Sequence, residues 1–184
     1  MPTIGDDNID WDAEAERASK VNWPYVDEAP LQYLQSVVPD SPILLDLGCN
    51  IGSWHYAWKT FRPNCKYNGL DFSEYALGIA RERYPESGFI FCKATEMGFK
   101  EQFDVIFTHA VLQHNNRGNV CKILLNCCGA LKQGGILILQ ENIQNNFSKM
   151  IWIDSVNECC FRRLELILYK DFNDGGAGFV FRKI

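Results

Sequence analysis

The chain has no apolar run near the ~20 residues that a membrane span requires. Its first stretch, Met1 to Asn22, is polar and acidic. It carries neither the apolar core of a signal peptide nor the arginine content of a transit peptide. A cytoplasmic protein without a membrane partner is the expectation. Basic charge is also scarce. Eighteen Lys and Arg face 23 Asp and Glu, a net charge of −5 with a pI near 5.2. No global field therefore favours nucleic acid, and the basic spot Arg162-Arg163 is short. Histidine occurs three times, at His55, His109 and His114. The eight cysteines (Cys49, Cys65, Cys92, Cys121, Cys127, Cys128, Cys159, Cys160) form no Cys-x-x-Cys pair, so no metal site is expected. Without a secretion signal they read as reduced thiols in a cytosolic protein, most of them small apolar residues of the interior.

What the chain does have is alternation. Residues Met1 to about Asn8 are small, polar and acidic, and read as disordered. Asp12 to Lys20 predicts a polar helix, broken by Trp23-Pro24-Tyr25. Glu28 to Val38 shows helical spacing at Leu31, Leu34, Val37 and Val38. Strand Ile43–Leu47 then leads to helix Ser53–Thr60. Strand Tyr67–Asp71 leads to helix Glu74–Tyr84. Strand Phe89–Cys92 and strand Asp104–Thr108 follow, then helix Val120–Leu131, a Gly134-Gly135 turn and strand Ile136–Gln140. The final strands, Leu164–Tyr169 and Phe179–Arg182, are separated by the glycine-rich link Asn173 to Gly178, a hairpin signal. The expected fold is α/β: a doubly wound, mostly parallel, seven-stranded sheet with helices on both faces and a C-terminal antiparallel hairpin. Residues 1–39 form an N-terminal helical extension and 40–184 the main domain.

The most informative stretch is Ile43-Leu44-Leu45-Asp46-Leu47-Gly48-Cys49-Asn50-Ile51-Gly52-Ser53. It reads as a buried strand, a tight glycine loop and the start of a helix. Gly48 and Gly52 let the backbone turn sharply and approach a ligand. A second acid, Asp71, ends the next strand, where a carboxylate can accept hydrogen bonds from both hydroxyls of a ribose. A glycine loop after one strand with an acid ending the next points to a nucleoside-containing cofactor.

These residues resemble the class I S-adenosylmethionine-dependent methyltransferases. Asp46, Gly48 and Gly52 fit the first motif, with Asn50 in place of its middle glycine. Phe103 to His114 looks like the fourth strand and the loop after it. Leu131-Lys132-Gln133-Gly134-Gly135 looks like the turn into strand five. The match runs in order from Pro42 to Ile184. The resemblance implies S-adenosyl-L-methionine as cofactor. The loop Asp46, Gly48, Cys49, Asn50 and Gly52 would wrap its methionine part, with Asp71 on the ribose and Phe72 on the adenine. The backbone near Ala94-Thr95 would line the adenine edge, and a carbonyl at Thr108 or His109 would face the methionine amino group. Lys93 departs from the family pattern, which often has an aspartate there. Lysine only donates, so it cannot accept from the adenine amine.

His114 is the catalytic candidate, either a base for the acceptor or a structural residue of its loop. His55 follows the glycine loop at the pocket entrance. Trp23 and Tyr25 are candidates for a lid over the cofactor, or for sealing the core edge. Phe147, Met150, Ile151 and Trp152 occupy the place of a substrate cap. The expected reaction is in-line methyl transfer to an O, N or S nucleophile of a small molecule or a protein side chain. A non-catalytic scaffold with this fold and an RNA methyltransferase are the alternatives. The segment after strand four, Thr108-His109-Ala110-Val111, lacks the proline string of nucleic-acid amino-methyltransferases. The glycine spacing does not fit a nicotinamide-dependent dehydrogenase either.

Overall fold

The protein is described from a computed structural model that covers residues 9–20, 29–142, 149–160, 162–172 and 176–184, with the side chains of 142 and 149–153 excepted. The expected lid residues Trp23 and Tyr25, the expected disorder of residues 1–8, and Phe147 lie outside the described residues. Seven strands form one sheet in the order β3-β2-β1-β4-β5-β7-β6. The expected fold class is the one observed: seven strands, mostly parallel, with an antiparallel end. The chain divides into two compact units, Asp7–Ala94 and one containing Thr95–Ile184.

In the first unit, helix α1 (Trp11–Lys20) carries acids in its first turn and bases in its last, as the helix dipole favours. Strands β1 (Ile43–Leu47), β2 (Lys66–Asp71) and β3 (Gly88–Phe91) pair in parallel, with Asp46 opposite Gly69 and Asp71 opposite Phe91. Helix α2 (His55–Phe61) follows β1, and α3 (Glu74–Arg83) follows β2. Ser73 caps α3 by accepting from the Ala76 N–H at 3.0 Å.

The helix expected over Glu28 to Val38 is instead a 3-10 helix over Ala29–Leu34. Arg62, buried at the end of α2, holds the residues that follow this 3-10 helix. Its Nη2 donates to the carbonyls of Gln35 and Val38 at 2.9 Å each, and its Nε to that of Pro39 at 3.0 Å. The segment's carbonyls are thus turned onto a guanidinium rather than along a helix axis.

In the second unit, β4 (Phe103–His109) pairs in parallel with β5 (Leu131–Asn142). β5 starts at Leu131, five residues before the expected Ile136, because the Gly134 turn (φ 74°) is absorbed as a register shift opposite Phe103 to Val105. Helix α4 (Arg117–Ala130) starts earlier than expected, since Asn116 accepts from the Asn119 N–H at 3.0 Å and caps it. Helix α5 (Lys149–Cys159) fills the segment read as a short cap, and Met150, Ile151 and Trp152 belong to it. Strand β7 (Gly176–Lys183) runs antiparallel to both β5 and β6 (Leu164–Asp171).

Cysteine chemistry also differs from expectation. Cys121 of α4 and Cys159 of α5 form a disulfide, their Cα atoms 5.1 Å apart. The pair is 38 residues apart in sequence and meets only because the two helices pack together. Cys49, Cys65, Cys127, Cys128 and Cys160 are buried thiols. No described helix is long and apolar enough to cross a membrane, and no metal-ligand cluster occurs among the described residues.

Candidate functional site

The glycine loop joins β1 to α2 and is tied to β2 through its backbone. The Leu70 carbonyl accepts from the N–H groups of Gly48 at 2.7 Å and Cys49 at 3.1 Å. Gly48 (φ 75°), Asn50 (φ 50°) and Gly52 (φ 76°) all take the left-handed conformation, which gives the loop its tight coil. Gly48 is exposed, as close ligand approach requires. Gly52 is buried, and a Cβ there would stand 2.9 Å from the Tyr84 ring. Packing, rather than a ligand, therefore demands glycine at 52. Cys49 is buried too, its sulfur against Gly69, and burial pushes its thiol well above the usual range.

Asp71 closes the loop from the other side. Its Oδ2 accepts from the Asn50 N–H at 2.9 Å, and its Oδ1 from the Ser73 N–H at 2.9 Å. Burial raises its pKa, and these backbone donors oppose the rise. The Phe72 N–H acts in the same sense, and the carboxylate keeps lone pairs beyond the Asn50 and Ser73 bonds. Asn50 Oδ1 is buried with no hydrogen-bond partner among the described residues. It is an acceptor in the middle of the loop, at a position where donors of a bound molecule would satisfy it.

Asp46 is placed differently from Asp71. It is 1% exposed, and the Tyr67 hydroxyl donates to its Oδ2. Burial first, and the Asp71 charge to a lesser degree, push its pKa up to about 7 against the Tyr67 hydrogen bond. His55 lies beside this pair, edge-on to Tyr67 at 4.8 Å and stacked on Tyr84 at 3.8 Å. Its Nε2 meets Ser87 Oγ at 2.9 Å and Glu86 at 3.2 Å. Burial lowers its pKa to about 4, so it is a neutral packing residue rather than a charged pocket rim.

Helix α1 reaches the same loop. Ala15 packs with Ile51 of the loop and Ala76 of α3 in one buried cluster. The Ser73 hydroxyl donates to Asp12, and Trp11 meets the Phe72 ring edge-on at 6.3 Å. Phe72 remains 47% exposed, an aromatic face beside Asp71. Lys93 is exposed and Ala94 half-buried in the segment after β3. The sequence reading missed Tyr67, Ser73 and the part played by α1.

In the second unit, Thr95 is half-buried, Thr108 is fully buried and His109 is exposed. Beyond β4, Ala110 turns with φ 54° and donates to the Gln140 carbonyl at 2.9 Å. A 3-10 helix over Leu112–His114 follows. Gln113 Nε2 lies 3.2 Å from His114 Nε2. This amide donates to His114 Nε2 when the imidazole carries its proton on Nδ1.

The sequence places Glu141 at the carboxyl end of strand five without giving it a role, and in the structure it organises this segment. Its Oε1 accepts from Thr108 Oγ1 at 3.0 Å, the Val111 N–H at 3.3 Å and the Leu112 N–H at 3.2 Å. Its Oε2 accepts from the Gln113 N–H at 3.3 Å. Burial pushes its pKa up to about 7 against all four donors. An acid at the end of an apolar strand was the available signal, the same one that marks Asp71.

Residues 45–139 match the family model described as a methyltransferase domain, just over half of the chain. A trans-aconitate 2-methyltransferase from Rhodopseudomonas palustris (strain BisB18) is 31% identical over 135 residues, 71% of this chain. The chain spans 50% of that protein's length. Among solved structures, a TehB-like S-adenosylmethionine-dependent methyltransferase from Corynebacterium glutamicum shares the fold with a TM-score of 0.74. It is 18% identical, with 95% of this chain and 98% of that one covered. An S-adenosylmethionine-dependent methyltransferase from Methanosarcina mazei gives a TM-score of 0.70 at 15% identity, with 86% of this chain and 99% of that one covered. With its strand order, its glycine loop and this match, the chain belongs to the methyltransferase domain family, among the class I S-adenosylmethionine-dependent methyltransferases.

Proposed function

We propose that the chain binds S-adenosylmethionine at the loop 46–52 and Asp71, and transfers its methyl group to an O, N or S nucleophile. A small molecule or a protein side chain is the acceptor class. One observation carries the reading. The Asp71 carboxylate is fixed by a backbone N–H from the glycine loop and another from Ser73. Its remaining lone pairs suit two vicinal ribose hydroxyls. The exposed face of Phe72 lies next to it and suits an adenine ring. The buried Asn50 Oδ1 adds an acceptor for a cofactor donor.

The cofactor supplies a methyl group already activated by a sulfonium. The chain's own task is to align the acceptor and exclude water. His114 accepts a proton through Nε2 once Gln113 gives way, and so serves a protonated nucleophile. Helix α1, which packs on the glycine loop, acts as a cofactor-side extension of the domain 40–184. The acidic net charge supports a non-nucleic-acid acceptor.

Calorimetry with S-adenosylhomocysteine tests the cofactor site. Asp71→Ala should weaken binding by roughly 1.5–3 kcal/mol for each charge-assisted hydrogen bond lost. Equal affinity in a folded Asp71→Ala protein rejects the assignment. A labelled-methyl screen then identifies the acceptor, with trans-aconitate as the first probe and metabolite pools, protein extract and RNA beside it. Turnover on RNA alone rejects the acceptor class.

A further inference from the structure

The segment that leaves β4 is built round one acid. Three successive N–H groups, those of Val111, Leu112 and Gln113, converge on Glu141 together with the Thr108 hydroxyl. Converging backbone amides form the kind of nest with which proteins hold anions. Here the chain's own carboxylate fills it. Glu141 is 2% exposed, so the acid sits there against a large desolvation cost. A leucine would fill the space without that cost. Four converging donors are therefore the feature that demands a carboxylate.

The support behind the acid is rigid. Glu141 lies in β5 opposite Ala177 of β7, and the neighbouring pairs Thr108–Leu139 and His109–Gln140 fix β5 against β4. The clamped segment is the one that presents Gln113 and His114, whose side chains meet at 3.2 Å.

We propose that Glu141 is a positioning residue for methyl transfer: its carboxylate fixes the backbone of residues 111–113 and thereby sets where Gln113 and His114 meet the acceptor. The proposal rests on the reading of this segment as acceptor-facing. It assigns no contact between Glu141 and either substrate. Glu141→Gln separates charge from shape. The glutamine carbonyl can replace one carboxylate oxygen, but its amide group sets a donor against the Gln113 N–H or against the Oε1 cluster. Glu141→Leu removes all four bonds.

The test compares the full-length protein with Glu141→Gln and Glu141→Leu in three measurements. Calorimetry gives the affinity for S-adenosylhomocysteine. Long-range proton–nitrogen spectra of the three histidines give the tautomer and titration midpoint of His114. Steady-state kinetics on the acceptor found by the screen give kcat and the KM of each substrate. Expected for Glu141→Gln are an altered His114 tautomer or midpoint and an unchanged cofactor KM. The acceptor kcat/KM should fall by about 10², the scale of a misplacement near 1 Å. If Glu141→Leu fails to fold, Glu141→Gln, with nearly the same shape, decides. Wild-type His114 spectra and wild-type turnover in Glu141→Gln overturn the proposal while the cofactor reading stands. Failure of the wild-type protein to bind S-adenosylhomocysteine overturns the cofactor reading, and the role in transfer falls with it.

Discussion

At Gly52, two constraints meet at one residue. Its φ of 76° costs an L side chain roughly 1–2 kcal/mol. A Cβ would also stand 2.9 Å from a Tyr84 ring that is itself stacked on His55 at 3.8 Å. Overpacking of this kind costs about 1–3 kcal/mol. Gly52→Ala is therefore expected to lower unfolding free energy by roughly 2–5 kcal/mol in urea titrations. Adding Tyr84→Leu should return the packing share but not the conformational share. A Gly52→Ala protein within about 0.5 kcal/mol of wild type, the range of an ordinary surface substitution, would contradict both arguments. The sequence marked Gly52 as a ligand-facing residue, and no spacing rule could have shown the ring of Tyr84 behind it. Asp71 was legible because a strand-ending acid after a glycine loop is a local pattern. Asp46 was legible as the acid just before the loop, yet its partner proved to be Tyr67 on the neighbouring strand. Local pattern locates an acid; strand pairing decides whether it faces solvent or a hydroxyl.

At the scale of elements, α1 is attached to the glycine loop rather than trailing from the fold. Ala15 fits against Ile51 and Ala76 only because it is small. Ala15→Leu should push the helix off the loop and loosen the Asp12–Ser73 contact beside Asp71. An overpacking cost of about 1–3 kcal/mol, shared with the loop, predicts S-adenosylhomocysteine binding weakened by roughly 5- to 100-fold in calorimetry. Unchanged affinity would show that α1 and the loop are independent. Strand positions were largely legible, since apolar runs bounded by glycine, proline and acids are strong local signals. β1 has the bounds the sequence predicts. Two elements were not legible, and a third, α4, was legible except for its start. The 3-10 helix Ala29–Leu34 stands where a longer helix is expected, and the carbonyls just after it, those of Gln35 and Val38, are held by the distant Arg62. Helix α4 starts at a cap residue, Asn116, that lies outside the apolar pattern. Helix α5 takes in Met150, Ile151 and Trp152, which occupy the place of a substrate cap, and it packs against α4.

For the whole molecule, proton linkage sets the pH response. Asp46 and Glu141 titrate near 7 when folded, from ordinary values of 3.8 and 4.5. Between those limits the folded protein holds protons that the unfolded chain has released, so both acids lower stability as pH rises. His55 works in the opposite sense, titrating near 4 when folded and 6.5 when free. Its contribution rises with pH until about 6.5 and then stops. Two acids outweigh one histidine, so urea midpoints should decline from pH 5 to pH 7, with the decline easing as the two acids approach their folded midpoint near 7. His55→Gln should steepen the decline below about 6.5, the free-histidine value. Midpoints that climb steadily to pH 7 would contradict this balance. The strand order carries a consequence in time. β5 borders β7, and residues 143–175 lie between them in the chain. During synthesis at about 5–20 residues per second, β5 has to wait roughly 2–7 s for its antiparallel neighbour. Through that interval an apolar strand, Ile136-Leu137-Ile138-Leu139, presents an open hydrogen-bonding edge. The nascent protein is most prone to aggregate then, and chaperone protection matters most between the emergence of Asn142 and that of Gly176.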